Sequence, residues 1–535
     1  MASKPNSLSG VFPLLAVLML LPVSVVASTD AAEGTPTDSD YMLLRVCEGV
    51  VRLFEIEPAA VWPGYSLAEQ PFLVYAPERW VLLYNSARPV KGFGACPRSW
   101  PNLGPGVRYH EGRYDDLAGE LEFNVALGDT AVVAIGFPDG FAGRLEHPEV
   151  EAFSYIVHEA FHQYQHASFG EIPWAREEKY PISDLNNGAL AWLEMRVLRD
   201  ALEAVRAGDR ERCRGVVETF LAVRHHRWKG GDPFIRQYEQ GKELEEGTAK
   251  YVELKCVELM HGVTYVSTID GASSPLAGAF PDTAMTDLLY RELRERMGEA
   301  CLQPEDIPRN RIYAVAATEG FLLDYFGVDW KGLAQEAGPG FTYADLLGTR
   351  LGVEEGSLAD LVDRAKREYD FETTLAAATR AAQDYEHAYA SELEAFEAQA
   401  GARLELVVSS SGLSRSRVST AKKWIMDSGR YSLCDNFKVY TLRGRDWSFE
   451  LHDAGLLEIN DWDAQRKTVV IYDAGIDSVS FDGKPAIGLR AGERDFESLE
   501  LAGDRFTLRG THSGTFVVTG DTVRVLLGPA SARPR

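Results

Sequence analysis

Ser154-Tyr155-Ile156-Val157-His158-Glu159-Ala160-Phe161-His162-Gln163 is the stretch whose reading decides the fold of this chain. Its chemistry depends on a helix. Residues four apart lie about 40° from one another around a helix axis, so His158 and His162 project together and can bind one tetrahedral Zn²⁺. Glu159 sits beside them, where its carboxylate can take a proton from zinc-bound water. Phe153, Val157, Ala160 and Tyr164 form an apolar stripe on the opposing face, able to fix the helix in a core. No Gly or Pro interrupts the stretch. A catalytic zinc keeps three protein ligands and one open position, so a third ligand must come from elsewhere in the chain.

Working outward, helical periodicity continues. Apolar residues recur at three- and four-residue spacing over Glu149–Ser168, Leu190–Ala207, Glu211–His226, Glu239–Met260 and Ile312–Phe326. A long Ala/Glu-rich amphipathic helix follows over Ala376–Ala400, with Gly401 as its stop. Before this region the pattern is mixed. Phe72-Leu73-Val74-Tyr75 and Trp80-Val81-Leu82-Leu83-Tyr84 read as paired strands around Pro77-Glu78, and Thr130 to Phe137 reads as another. From Leu404 the period becomes two, and segments such as Thr468–Tyr472 and Gly514–Val518 predict a small antiparallel β domain. The expected class is α+β. An N-terminal α/β portion (41–148) precedes a mainly helical zincin-like core (149–400), and a β-rich C-terminal domain (401–535) closes the chain.

The metzincin continuation of the motif is absent, because Gln165 and Ser168 stand where its Gly and His belong. Further on, Glu245-Glu246-Gly247-Thr248-Ala249-Lys250-Tyr251 lies on a predicted helix. This segment resembles the E-G-x-A-x-Y element of the gluzincin peptidases, zincins whose third ligand is a Glu on a second helix. The resemblance implies that Glu246 binds the metal and that the small Gly247 and Ala249 let the two helices approach closely. It extends over roughly residues 60–330. Trp62-Pro63-Gly64-Tyr65, Leu190-Ala191-Trp192-Leu193-Glu194-Met195-Arg196, Phe220-Leu221-Ala222-Val223-Arg224 and Arg311-Ile312-Tyr313-Ala314 look like segments of uncharacterised secreted bacterial proteins with such a core. Two departures stand out. His162 and Glu246 are 84 residues apart, which an inserted helical pair would explain, and G-x-M-E-N, the substrate motif of the aminopeptidases, is missing. The long separation leaves Glu194 as a competing ligand. Its bulky neighbours Trp192, Leu193 and Met195 instead suggest a carboxylate that hydrogen-bonds a ligand histidine from behind.

Composition narrows the function classes. The chain has 535 residues and a formal net charge of −25, with no long Lys/Arg block, so a nucleic-acid partner is not expected. Residues 1–27 read as an export signal. Lys4 precedes an apolar run from Val11 to Val26, broken by Pro13 and Pro22, and Ala27 offers a cleavage point. A polar linker (28–40) follows. No second run is long enough to span a membrane, so the mature chain is expected in the periplasm or outside the cell. Six scattered cysteines form no C-x-x-C pair, and either disulfides or buried thiols fit them.

Tyr313 is a candidate donor for the tetrahedral intermediate of peptide hydrolysis, with a core tyrosine as the plainer alternative. His166, four residues after His162, reads as a surface histidine or a ligand-orienting one. His225-His226 between Arg224 and Arg227 reads as a basic solvated face. The expected function is a secreted zinc metallopeptidase acting on peptide or protein substrates. Its rival is an exported binding or scaffold protein that keeps the same fold without turnover.

Overall fold

Helix formation begins inside the stretch read as a linker. Thr37 and Asp40 build a capping box. Thr37 Oγ1 accepts from the Asp40 N–H at 3.2 Å, and the Asp40 carboxylate accepts from the Thr37 N–H at 2.8 Å. The helix they start, α1 (Asp38–Ile56), corrects the linker boundary at 40. The computed structural model describes residues 36–528, apart from short stretches at 58–59, 87, 115–116, 118–123, 128–129, 174, 272–275, 277, 281, 299, 337–339, 354–357, 412, 419–421, 473–474 and 487. The expected export signal at 1–27 lies outside the described residues.

Five strands follow: β1 (Phe72–Ala76), β2 (Trp80–Tyr84), β3 (Arg108–Glu111), β4 (Asn124–Leu127) and β5 (Thr130–Gly136). They form one sheet in the order β3-β2-β1-β5-β4, antiparallel except for β1 with β5. Alternation sends the side chains of β1 and β2 into two cores. Phe72, Val74, Trp80 and Leu82 join the main core, whereas Leu73, Tyr75, Val81 and Leu83 pack into a smaller cluster behind the sheet.

The helical region comprises α2 (Pro148–Ser168), α3 (Leu185–Arg206), α4 (Arg210–Gly230), α5 (Pro233–Lys242), α6 (Thr248–Met260), α7 (Met285–Met297) and α8 (Asn310–Phe326). Four more follow: α9 (Lys331–Glu336), α10 (Tyr343–Leu351), α11 (Leu358–Glu368) and α12 (Phe371–Glu397). Side-chain caps start α3, α4 and α5 from Asp184, Asp209 and Asp232. Glu239–Met260 is not one helix, as periodicity predicted. A π-helical turn, Glu243–Gly247, separates α5 from α6. The helices α3 and α4 fill most of the long interval between His162 and Glu246.

Helix α2 lies against the sheet, and Gln163 Oε1 accepts from the Val133 N–H of β5 at 3.0 Å. Phe153, Val157, Ala160 and Tyr164 are all buried, as their spacing predicted. Beyond α12, a thirteen-stranded sheet begins at Arg403 and has its own core, including Leu406, Phe449, Leu508 and Val525. It is antiparallel but for one pairing among the described residues. Strand Thr522–Leu527 runs parallel to Arg403–Ser409, bringing the first and last strands of the region together. All six cysteines are free thiols. Among the described residues no helix is long and apolar enough to cross a membrane.

Asp40 joins α1 to the sheet, since its carboxylate also accepts from Arg79 at 2.8 and 2.9 Å and from Trp80 Nε1 at 3.0 Å. Asp40→Ala removes half of the capping box and strands a buried indole N–H. The expected loss is about 2–4 kcal/mol, read from the shift of the denaturant midpoint.

Candidate metal centre

Helix α2 presents His158, fully buried, and His162, 19% exposed, on one face with ring centroids 4.8 Å apart. The π turn brings Glu246 to the same point. Its Oε2 lies 3.3 Å from Nε2 of His158 and 3.3 Å from Nε2 of His162, and the three donor atoms fall within 4.8 Å of one another. This group could hold a metal ion. Of the two carboxylates weighed as third ligand, Glu246 is the one at the histidines.

Each imidazole is oriented from behind. Nδ1 of His158 meets Glu253 Oε2 at 3.1 Å, and Nδ1 of His162 meets Gln165 Oε1 at 2.7 Å. Both acceptors hold a proton on Nδ1, so that once Nε2 gives up its own proton to the solvent its lone pair points at the shared position. Gln165 is itself held, donating through Nε2 to the carbonyls of Leu244 and Glu245 and to Thr248 Oγ1. Glu253 is held by Lys250 Nζ at 2.7 Å, which also reaches Glu292 at 3.0 Å.

Glu194 is corrected here. It does not stand behind a ligand histidine. It accepts from Arg224 Nε at 3.0 Å and from Arg227 Nε at 2.6 Å, inside a buried ionic cluster. Arg224 and Arg227 are likewise fully buried rather than on a solvated face. The carboxylate that performs the orienting task, Glu253, escaped the sequence reading. Its signal was its position seven residues after Glu246, two turns along the same side.

The π turn explains how Glu246 gets there. A π turn accommodates one extra residue in the helical ladder and is frequent at functional sites. Glu243, at its start, is pinned by Arg224 Nη1 at 2.6 Å, and Lys242 Nζ reaches Glu245 at 2.8 Å and Glu246 Oε1 at 3.2 Å. Gly247 serves a different neighbour from the one expected. A Cβ there would lie 2.2 Å from Ala316 Cβ of α8, so the close approach is to α8 rather than to α2.

Glu159 is 8% exposed and, among the described residues, makes no hydrogen bond or ion pair, unlike Glu243, Glu245, Glu246 and Glu253. Burial raises its carboxyl above the usual range, against the pull of His162 and His158. Tyr313 stacks on His158 with ring centroids 5.8 Å apart and an interplanar angle of 25°. Burial first, then the Glu246 and Glu159 carboxylates, push its phenol well above the ordinary tyrosine value, so it stays a proton donor. His166 lines a cavity of about 410 Å³ with Gln165, Gly170, Ile172, Pro173 and Glu245, beside the metal group.

Burial opposes protonation of His162, yet Glu246, Glu159 and Glu245 outweigh it and push its pKa up to about 10. Glu246 is held well below the carboxylate range by His162 and His158, against its own desolvation. The pocket therefore favours positive charge. Comparison with family models, with curated proteins and with solved structures returns no match.

Two outcomes follow from this geometry. Carboxylates raise the pKa of both imidazoles, so a divalent ion must displace their protons, and its apparent affinity should rise by at least about tenfold per pH unit until pH approaches about 10. Titration calorimetry in buffers of different ionisation enthalpy reads the protons released. Gly247→Ala forces the π turn away from Ala316 and should weaken metal binding by at least about tenfold, a cost of the kind incurred when a ligand's support is lost.

Proposed function

We propose that this chain is an exported zinc-dependent metallopeptidase of the gluzincin type, acting on peptide or protein substrates. The observation that carries this function is the meeting of two Nε2 atoms from one helix with a carboxylate oxygen from another, beside an unpaired Glu159. The donor set suits zinc. With bonds of about 2.0–2.2 Å, tetrahedral ligand atoms lie about 3.4 Å apart, and Glu246 Oε2 is 3.3 Å from both imidazole nitrogens. Two imidazoles and one carboxylate also leave a fourth position for water or substrate.

His158, His162 and Glu246 would hold the ion. Zinc, when bound, supplies Lewis acidity toward a carbonyl oxygen and acidifies its water. The remaining tasks fall to the chain. Glu159 accepts the proton of the attacking water and delivers it to the departing amine, a cycle open to a carboxylate with no competing partner. Tyr313 offers a phenol O–H on the same side as Glu246, suited to a developing oxyanion. Glu253 and Gln165 keep both imidazoles in the tautomer that donates through Nε2.

The native protein is expected to carry about one zinc per chain, and 1,10-phenanthroline to abolish hydrolysis of a mixed peptide library. Glu159→Gln should keep the metal and lose at least about 10²-fold in turnover. Glu246→Ala should lose the metal itself. Full activity in metal-free protein would sink the assignment. Wild type that binds zinc but cleaves no peptide would leave the non-catalytic scaffold instead.

A further inference from the structure

Arg296, next to last in α7, is held at an unusual place. Its Nε donates to Glu292 Oε2 at 2.7 Å, and Glu292 is fixed in turn by Lys250, Glu253 and finally His158 Nδ1. Its guanidinium carbon also sits 5.8 Å from the centre of the Tyr313 ring, whose own centre is 5.8 Å from that of His158. Two routes, one ionic and one through stacked rings, therefore lock the guanidinium in register with the metal group. The side chain is nine-tenths buried. Among the described residues its two terminal nitrogens make no further hydrogen bond and remain open to an acceptor.

We propose that Arg296 anchors a substrate carboxylate, which makes the preferred substrates peptides bearing a free carboxylate shortly after the scissile bond. The proposal rests on the hydrolase function above. The ring separations place the guanidinium no more than about 12 Å from His158, and an extended peptide covers about 3.3–3.6 Å per residue. A carboxylate one to three residues beyond the cleaved bond spans that interval. Planar, permanently charged and with two parallel N–H donors still available, Arg296 suits bidentate capture. A lysine would offer a point charge only. The carboxylate can be a chain terminus or an acidic side chain, since the fork recognises the group and not its source.

Titration calorimetry on the zinc-loaded protein tests this by reading binding directly, using N-acetyl-Gly-Phe as the free acid, its C-terminal amide, and N-acetyl-Gly-Asp amide. Wild type should bind the acid at least tenfold tighter than the Phe amide. Arg296→Met, which keeps the side-chain stem over Tyr313, should bind the two alike. Arg296→Lys should lose at least threefold of the preference, and it decides the matter if the methionine variant does not fold. Tight binding of the Asp amide, lost in the same variants, would identify an acidic side chain as the source. An acid preference that survives in both variants, or none in wild type, overturns the anchor and leaves Arg296 as a structural partner of Glu292. Cleavage of free-acid and amidated peptides then separates the two claims. Arg296-dependent acid binding with no hydrolysis defeats the peptidase, whereas hydrolysis indifferent to Arg296 defeats the anchor alone.

Discussion

Three arginines and four glutamates with almost no exposure to water hold the helical region in register. Arg224 reaches Glu194, Glu243 and Glu319. Arg227 reaches Glu194 and Glu239, and Arg311 reaches Glu239 as well. Desolvating such charges is expensive, and it is offset only where each finds close opposite partners and hydrogen bonds. Burial drives the Glu319 carboxyl well above the usual range and raises that of Glu243 as well, in both cases against the pull of Arg224. Trp228 Nε1 and Tyr180 add neutral donors to Glu239 at 2.7 Å each. Removing one member of a buried pair typically costs about 3–5 kcal/mol, since the other is left charged in a medium that cannot solvate it. The helices α3, α4, α5 and α8 are thereby tied to one another without relying on apolar packing alone.

The same cluster reaches the metal group through one residue. Glu243 belongs both to the ionic network and to the π turn, three positions before Glu246. Arg224 thus fixes the start of the turn, and Gly247 against Ala316 fixes its end. Between these two points Glu246 has little freedom. Lys242 and the imidazoles set its carboxylate. The inserted helices α3 and α4, which separate the two halves of the centre in sequence, supply Glu194, Arg224 and Arg227 and so help to position the second half.

The C-terminal sheet touches the helical region at definite points. Lys423 Nζ pairs with Glu178 at 3.0 Å, Lys179 lies over the Trp462 ring, and the Ile425 N–H donates to Tyr385 of α12 at 2.7 Å. Trp424, Ile425 and Leu433 pack into the main core rather than the core of the sheet. The segment touched, around Glu178, follows the Gly170–Pro173 wall of the cavity beside the metal group.

How much of this the sequence determined depends on the range of the interaction. Local periodicity was enough for α2, for the strands flanking Pro77-Glu78 and for the change to β structure after residue 400, because helix and strand periods are written into neighbouring residues. Four-residue spacing was enough to bring His158 and His162 together, with Glu159 beside them. Glu246 was legible only through the resemblance carried by Glu246, Gly247, Ala249 and Tyr251 together. The π turn was invisible, since an extra residue in a helix leaves the apolar pattern nearly intact. Helix α1 was missed because its capping box sits in a polar stretch that composition alone reads as a linker. For a more general reason, Glu194 was given the task that Glu253 performs. Both are acids among apolar neighbours on predicted helices, and nothing local distinguishes them. What separates them is which cation lies opposite in the folded chain, Arg224 and Arg227 for one and His158 and Lys250 for the other. A buried charge is defined by its partner, and the partners here come from helices far apart in sequence, so only the tertiary structure could decide it.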